Sequence, residues 1–198
     1  MTTDPSDEMD TEFPNLRKAV VDAWRNAPEG TRVEIIDGEL VMMARPRVTH
    51  CNAAGELHAE LRAPFRLGRG GPGGWVFLIE PELQLGARPD IIDPDIAGWR
   101  RERMPQLPDV PALTLAPDWV CEVLSDSTES VDRGRKMRIY RREGVQHLWL
   151  VDPRARVLEV WRVVDGRWRE VDTYEGEGRV RAEPFEAIEL DLALLWAR

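Results

Sequence analysis

Trp119-Val120-Cys121-Glu122-Val123-Leu124, a basic stretch from about residue 127 to Arg142 closed by Gly144, and Leu148-Trp149-Leu150-Val151 together decide the fold. The two outer segments are near-continuous apolar runs, which is how strands buried on both faces read. The stretch between them has helical length and ends on a well-placed C-terminal glycine. A strand, a helix and a second strand in that order predict a parallel crossover inside a mixed sheet. Downstream, Val157 to Arg162 and Trp168 to Tyr174 read as strands, separated by Asp165-Gly166. Upstream, Val33-Glu34-Ile35-Ile36 and Leu40-Val41-Met42-Met43 flank Asp37-Gly38, a strong hairpin signal. Between hairpin and crossover, apolar residues every fourth position (Ala53, Leu57, Leu61, Phe65) predict a helix over 49–65. A glycine-rich loop, Gly68 to Gly74, then precedes strands at Trp75 to Leu78, Glu82 to Leu85 and Asp95 to Trp99. Leu16 to Trp24 carries a further helical spacing. The expected architecture is α/β (α+β), a central mixed β-sheet flanked by helices, with an N-terminal β-hairpin. Residues 1–12, polar and acidic without periodicity, are expected to be a disordered tail, and 13–198 one domain.

Several function classes drop out. No apolar run reaches the roughly 20 residues of a membrane span, so no membrane partner and a cytoplasmic location are expected. Cys51 and Cys121 cannot build a disulfide framework or a zinc site by themselves, and three histidines without metal-ligand spacing disfavour a zinc enzyme. The glycine-rich loop lacks the Lys-Ser/Thr ending of a phosphate-cradling loop, and Ser125 and Ser127 lack a nucleophile elbow. The net charge of −9 argues against a polyanion, yet much of the acidity sits at the two chain ends. Arg133, Arg135, Arg138, Arg141 and Arg142 cluster in the middle, and Arg100, Arg101 and Arg103 form a second group. Each is either a solvated face or a docking site for phosphates.

Three residues stand out for chemistry. Glu122 lies inside an apolar strand, where a carboxylate costs several kcal/mol unless a cation or hydrogen bonds answer it. Asp95 enters the next predicted strand directly after Pro94. Two carboxylates entering one sheet are satisfied either by arginines or by a hard cation such as Mg²⁺, which takes oxygen ligands. Only two of the 27 basic residues are lysines, Lys18 and Lys136, and Lys136 stands in the middle of the basic helix. A lysine there could orient a water or, as the neutral amine, deprotonate one, or its position could be chance.

Those residues carry a resemblance. Pro94-Asp95-Ile96-Ala97-Gly98-Trp99, Asp118-Trp119-Val120-Cys121-Glu122-Val123-Leu124-Ser125, Asp132-Arg133-Gly134-Arg135-Lys136 with Tyr140, and Leu148-Trp149-Leu150-Val151-Asp152-Pro153 resemble the Uma-type family of bacterial endonucleases, within the PD-(D/E)XK restriction-endonuclease-like superfamily. The likeness extends over about residues 30 to 196. It implies a metal-dependent endonuclease hydrolysing phosphodiester bonds of DNA, with Mg²⁺ (or Mn²⁺) held by Asp95 and Glu122. Catalytic residues would be Asp95, Glu122, Lys136 and Glu34, with Glu39 and Glu56 behind Glu34 as candidates for the additional acid. His50, Arg133, Arg135 and Arg138 would contact substrate. The superfamily usually places its lysine two residues after the second acid. Leu124 stands there, and Lys136 on the following helix takes the role in Uma-type sequences. Asp126 replaces the proline that relatives usually carry. The alternative is a catalytically inactive nuclease-fold module that binds nucleic acid or assembles with other chains. A homodimer is expected, with the stretch from Leu190 to Trp196 packing across a two-fold axis.

Overall fold

A computed structural model of the chain describes residues 8–196. Its centre is a six-stranded mixed sheet in the order β10-β9-β8-β7-β6-β3. The strands are β3 (Trp75–Ile79), β6 (Ile96–Arg100), β7 (Trp119–Val123), β8 (His147–Asp152), β9 (Val157–Val164) and β10 (Arg167–Glu175). Only β7 and β8 run parallel, and the basic helix crosses between them as the apolar strands predict. That crossover runs as α3 (Glu129–Val131), a π-helical turn (Asp132–Lys136) and α4 (Met137–Arg142). A π turn takes an extra residue per turn and is frequent at functional sites.

The hairpin is not part of the central sheet. β1 (Arg32–Ile36) and β2 (Glu39–Met43) join β4 (Leu83–Leu85) and β5 (Asp90–Ile92) in a second sheet of order β2-β1-β5-β4. Asp37 and Gly38 both take positive φ, which the tight turn requires. α1 (Lys18–Arg25) covers this sheet through Leu16, Val21, Ile35 and Ile91. The second helix, α2 (Val48–Leu61), gives way to a π-helical turn over Arg62–Arg66. Pro64 has no N–H to donate, and the wider turn accommodates it while keeping Phe65 buried.

The two faces of the central sheet are covered differently. On one, Ala53, Leu57 and Leu61 of α2 pack on Trp119, Cys121 and Trp149 together with Phe185. On the other, Val120, Leu148 and Leu150 pack against Ile139 and Tyr140 of α4 and against Leu83 and Ile92 of the smaller sheet. Burying a Trp or Phe side chain contributes roughly 1.5–3 kcal/mol, so the four buried tryptophans of the centre are core residues. Gly98 marks the tightest point: a Cβ there would stand 3.1 Å from both the Phe77 and Trp119 rings. Gly98→Val is therefore expected to destabilise by about 1–3 kcal/mol in urea unfolding, through overpacking.

Two expectations are corrected. Residues 1–7 lie outside the described residues, but the rest of the expected tail is tied down. Asp10 is buried, accepts the N–H groups of Glu12 and Phe13, and pairs with Arg25 at 3.0 Å. The end of the chain is mostly folded onto the core, with Leu194 left exposed. β11 (Arg179–Val180) pairs with β12 (Leu190–Asp191), and Leu192, Leu195 and Trp196 are buried in the same core as α2. No helix among the described residues is long and apolar enough to cross a membrane.

Candidate active site

Ile96 pairs with Cys121 in the antiparallel β6–β7 ladder, which sets Asp95, just before β6, beside the end of β7. The Val123 N–H donates to Asp95 Oδ2 at 2.7 Å. Side chains alternate along β7, so Trp119, Cys121 and Val123 face α2 while Val120 and Glu122 face the crossover helix. From that helix Asp132, Lys136 and Tyr140, at steps of four residues, reach inward. β1 contributes Glu34. The four residues expected to act together, Asp95, Glu122, Lys136 and Glu34, thus come from four separate segments to one end of the sheet.

Lys136 is the hub. Its Nζ lies 3.1 Å from Glu34 Oε1, 3.1 Å from Glu122 Oε1 and 3.5 Å from Asp132 Oδ1, at 1% exposure. The Tyr140 hydroxyl donates to Glu122 Oε1, and the Asp93 N–H to Glu34 Oε1 at 3.2 Å. Burial favours the uncharged amine, but Glu122, Glu34 and Asp132 outweigh it and hold the Lys136 pKa well above its ordinary value. The same three carboxyl groups thus favour the ammonium form of Lys136. Burial pushes Glu122 up despite the lysine, and Asp132 likewise. Burial also pushes Tyr140 up, reinforced by the Glu122 charge.

Asp95 is arranged differently. Burial raises its pKa, but the hydrogen bond and charge of His50, the Arg32 charge and the Val123 N–H together hold it below the ordinary aspartate value. His50 Nε2 lies 2.9 Å from Asp95 Oδ1, and Arg32 Nη1 3.7 Å from the same oxygen. A cavity of about 20 Å³ opens between Asp95, Glu122, Lys136, His50 and Arg32, room for one ordered water.

A divalent cation fits this donor set. Five acids (Glu34, Asp93, Asp95, Glu122, Asp132) face two permanent cations, Lys136 and Arg32, and Glu34 Oε2 is buried without a hydrogen-bond partner. All the anionic donors are oxygens, as a hard cation requires. Among the described residues no three His, Cys, Asp or Glu side chains form a ligand set. Such an ion would be held by two carboxylates and completed by waters or phosphate oxygens.

The arginines expected to meet substrate are engaged elsewhere. Arg133 binds Glu159 and Glu129, Arg135 bridges Asp37 and Glu39, and Arg138 lies 3.4 Å from Asp37. Glu39 thus belongs to the surface beside the hairpin turn, not to the cavity. Asp126 is exposed and pairs with Arg154, and Leu124 is buried in the core. Sequence reasoning missed Arg32, Asp132 and the loop Ala44-Arg45-Pro46-Arg47. Pro46 lines the cavity, and Arg47 lines the adjoining depression with His50. Both Arg45 and Arg47 are exposed. The four-residue spacing of Asp132 and Lys136 was a signal for that acid; the arginines carry none, because their position depends on where the hairpin docks.

Asp93 gives a pH test. Burial, with Glu34 second, pushes its pKa from 3.8 up to about 7. The folded chain then keeps a proton that the unfolded chain releases, so this group's contribution to stability is full below about pH 4 and is lost as pH rises through 7. Asp93→Asn is expected to stabilise the protein by roughly 1–3 kcal/mol at pH 8 and by little at pH 4.5 in urea unfolding.

The comparisons with known proteins bear on the family and the fold. The family described as "Uma2: Putative restriction endonuclease" matches residues 20–194. A crystal structure titled as a putative nuclease belonging to DUF820, from Anabaena variabilis ATCC 29413, superposes with a TM-score of 0.70 at 21% identity, covering 89% of this chain and 97% of that one. At that identity the likeness establishes the fold. No curated protein matches the chain.

Proposed function

This chain belongs to the Uma2 family of restriction-endonuclease-like proteins, and from that premise we propose that it hydrolyses phosphodiester bonds of DNA with a divalent cation, Mg²⁺ or Mn²⁺, at Asp95 and Glu122. The observation that carries the reading is the meeting of Asp95, Glu122 and Lys136 around one small cavity at the end of β6 and β7. When bound, such a cation polarises the phosphoryl oxygen and lowers the pKa of the attacking water.

The protein's own groups supply the rest. Asp95, held ionised by His50, Arg32 and the Val123 N–H, is a charged oxygen ligand across the neutral pH range. Tyr140 and Lys136 fix the orientation of Glu122. Lys136, favoured as the ammonium by the acids around it, acts through its charge on the anionic transition state. Arg47, which lines the depression adjoining the cavity, and the exposed Arg45 two residues before it would contact phosphates flanking the scissile bond.

The experiment is titration of Mn²⁺ and Mg²⁺ into wild type and Glu122→Gln by calorimetry, with plasmid nicking on the same samples. Binding and nicking by wild type, both lost in the variant, is the expected result. Folded wild type that binds DNA without nicking under either metal would replace the enzyme by the nucleic-acid-binding module. Arg45→Ala with Arg47→Ala is expected to raise KM for plasmid about tenfold with metal affinity unchanged, since exposed arginines serve the phosphate backbone.

A further inference from the structure

Five of the arginines that lack an acid partner lie together. Half of the arginines among the described residues form an ion pair with Asp or Glu. Of the others, Arg62, Arg66, Arg69, Arg100 and Arg101 gather at the end of the central sheet opposite the cavity. Trp75 pairs with Arg100, and Ile79 with Ile96, so the β3–β6 ladder runs from this arginine group to the Asp95 end. The group is tied together by backbone bonds. Arg101 donates to the carbonyls of Arg66 and Trp75, its N–H to that of Gly74, and Arg66 donates to that of Phe77. The Arg100 guanidinium stands 4.1 Å over the Trp75 ring. Arg62, Arg69, Arg100 and Arg101 are exposed. No Asp or Glu occurs between Glu60 and Glu80, and Glu102, in the same turn as Arg101, makes no ion pair.

In a chain of net charge −9 such a patch is a local inversion of sign; carbonyl anchors hold Arg66 and Arg101 without an acid partner, and the one carboxylate bonded here, Asp118, takes the Arg100 backbone N–H and the Arg103 side chain. We propose that this face binds a second stretch of phosphodiester backbone, remote from the cleavage cavity; the inference rests on the nuclease reading above. Six residues of extended chain separate Asp95 from Arg101, about 20 Å at 3.3 Å per residue. That span equals roughly six rises of 3.4 Å along a duplex. A duplex crossing the surface parallel to β6 would meet the cavity and the arginine face on one molecule, and the distal contact would add affinity without touching the reacting phosphate.

The test is the full chain carrying Arg62→Gln, Arg69→Gln and Arg100→Gln, which break no ion pair. Binding of a 30-bp duplex is followed by fluorescence anisotropy in EDTA across a salt series, and plasmid nicking is measured with metal. The triple variant is expected to bind at least about tenfold more weakly at 0.1 M salt, with a log–log salt slope shallower by up to about 3. It should nick with raised KM and unchanged kcat, the signature of lost uniform binding. Equal affinity and slope in wild type and variant would overturn this inference while leaving the nuclease reading standing. Wild type that neither binds nor nicks DNA would overturn both. Loss of binding to anionic phospholipid vesicles with DNA affinity unchanged would assign the face to a membrane surface and overturn the proposal.

Discussion

Replacing Lys136 by Met is expected to cost about 3–5 kcal/mol of folding stability at pH 8, because it leaves three buried carboxyl groups without their shared cation. Glu34 and Glu122 each lie 3.1 Å from Nζ and Asp132 3.5 Å, and all three are almost fully buried. Methionine fills the stem's volume, so the loss is electrostatic rather than a cavity. The orphaned acids answer by taking up protons, which the unfolded chain does not do above about pH 5. The penalty must therefore shrink as pH falls, and urea unfolding at pH 5 should show a smaller gap to wild type than at pH 8. Adding Glu34→Gln to Lys136→Met should recover part of the loss, giving a coupling energy of at least about 1 kcal/mol in a double-mutant cycle. A pH-independent penalty, or strict additivity, would mean that the ammonium is not the counter-charge of this cluster.

The second large effect belongs to Asp95. Asp95→Asn keeps an oxygen to accept the Val123 N–H but removes the charge that His50 and Arg32 converge on. Plasmid nicking is expected to fall by at least about 10²-fold, the size of one lost transition-state stabiliser in a water-poor site. His50→Ala should fall by about 10–100-fold, since His50 orients Asp95 without contacting the reacting atoms. The two differ in metal titration: Asp95→Asn should abolish measurable Mn²⁺ binding, whereas His50→Ala should weaken it. Nicking that survives in Asp95→Asn would remove this residue from the site.

What could be read from the sequence was whatever buried charge and period express locally. β7, the crossover helix and β8 were legible because apolar runs and Gly144 punctuate them. Asp95, Glu122 and Lys136 were legible because a charge in an apolar strand, or a rare lysine among arginines, needs an explanation. The partners of the arginines were not. Arg135 meets Asp37 from 98 positions away and Arg142 meets Asp90 from 52, so only tertiary docking decides which cations are spent and which are free. The second sheet was hidden for a related reason. β5 is three residues long, too short for a period, and it exists because β1 and β4 pair on either side of it. The apolar end of the chain looked like a partner's binding surface because its true cover, α2, lies more than a hundred residues earlier.

The placement of Lys136 on a helix rather than two residues after Glu122 has a consequence for transplantation. A strand that carries both acid and lysine is a portable part; here the acid travels on β7 and its counter-charge on the following helix, with Tyr140 one turn further along. Moving the strand alone into another scaffold would import a buried anion with nothing to balance it. The smallest module that remains neutralised when grafted runs from Trp119 through Tyr140, and its π turn must travel with it, because that turn sets the register in which Asp132, Lys136 and Tyr140 face the strand.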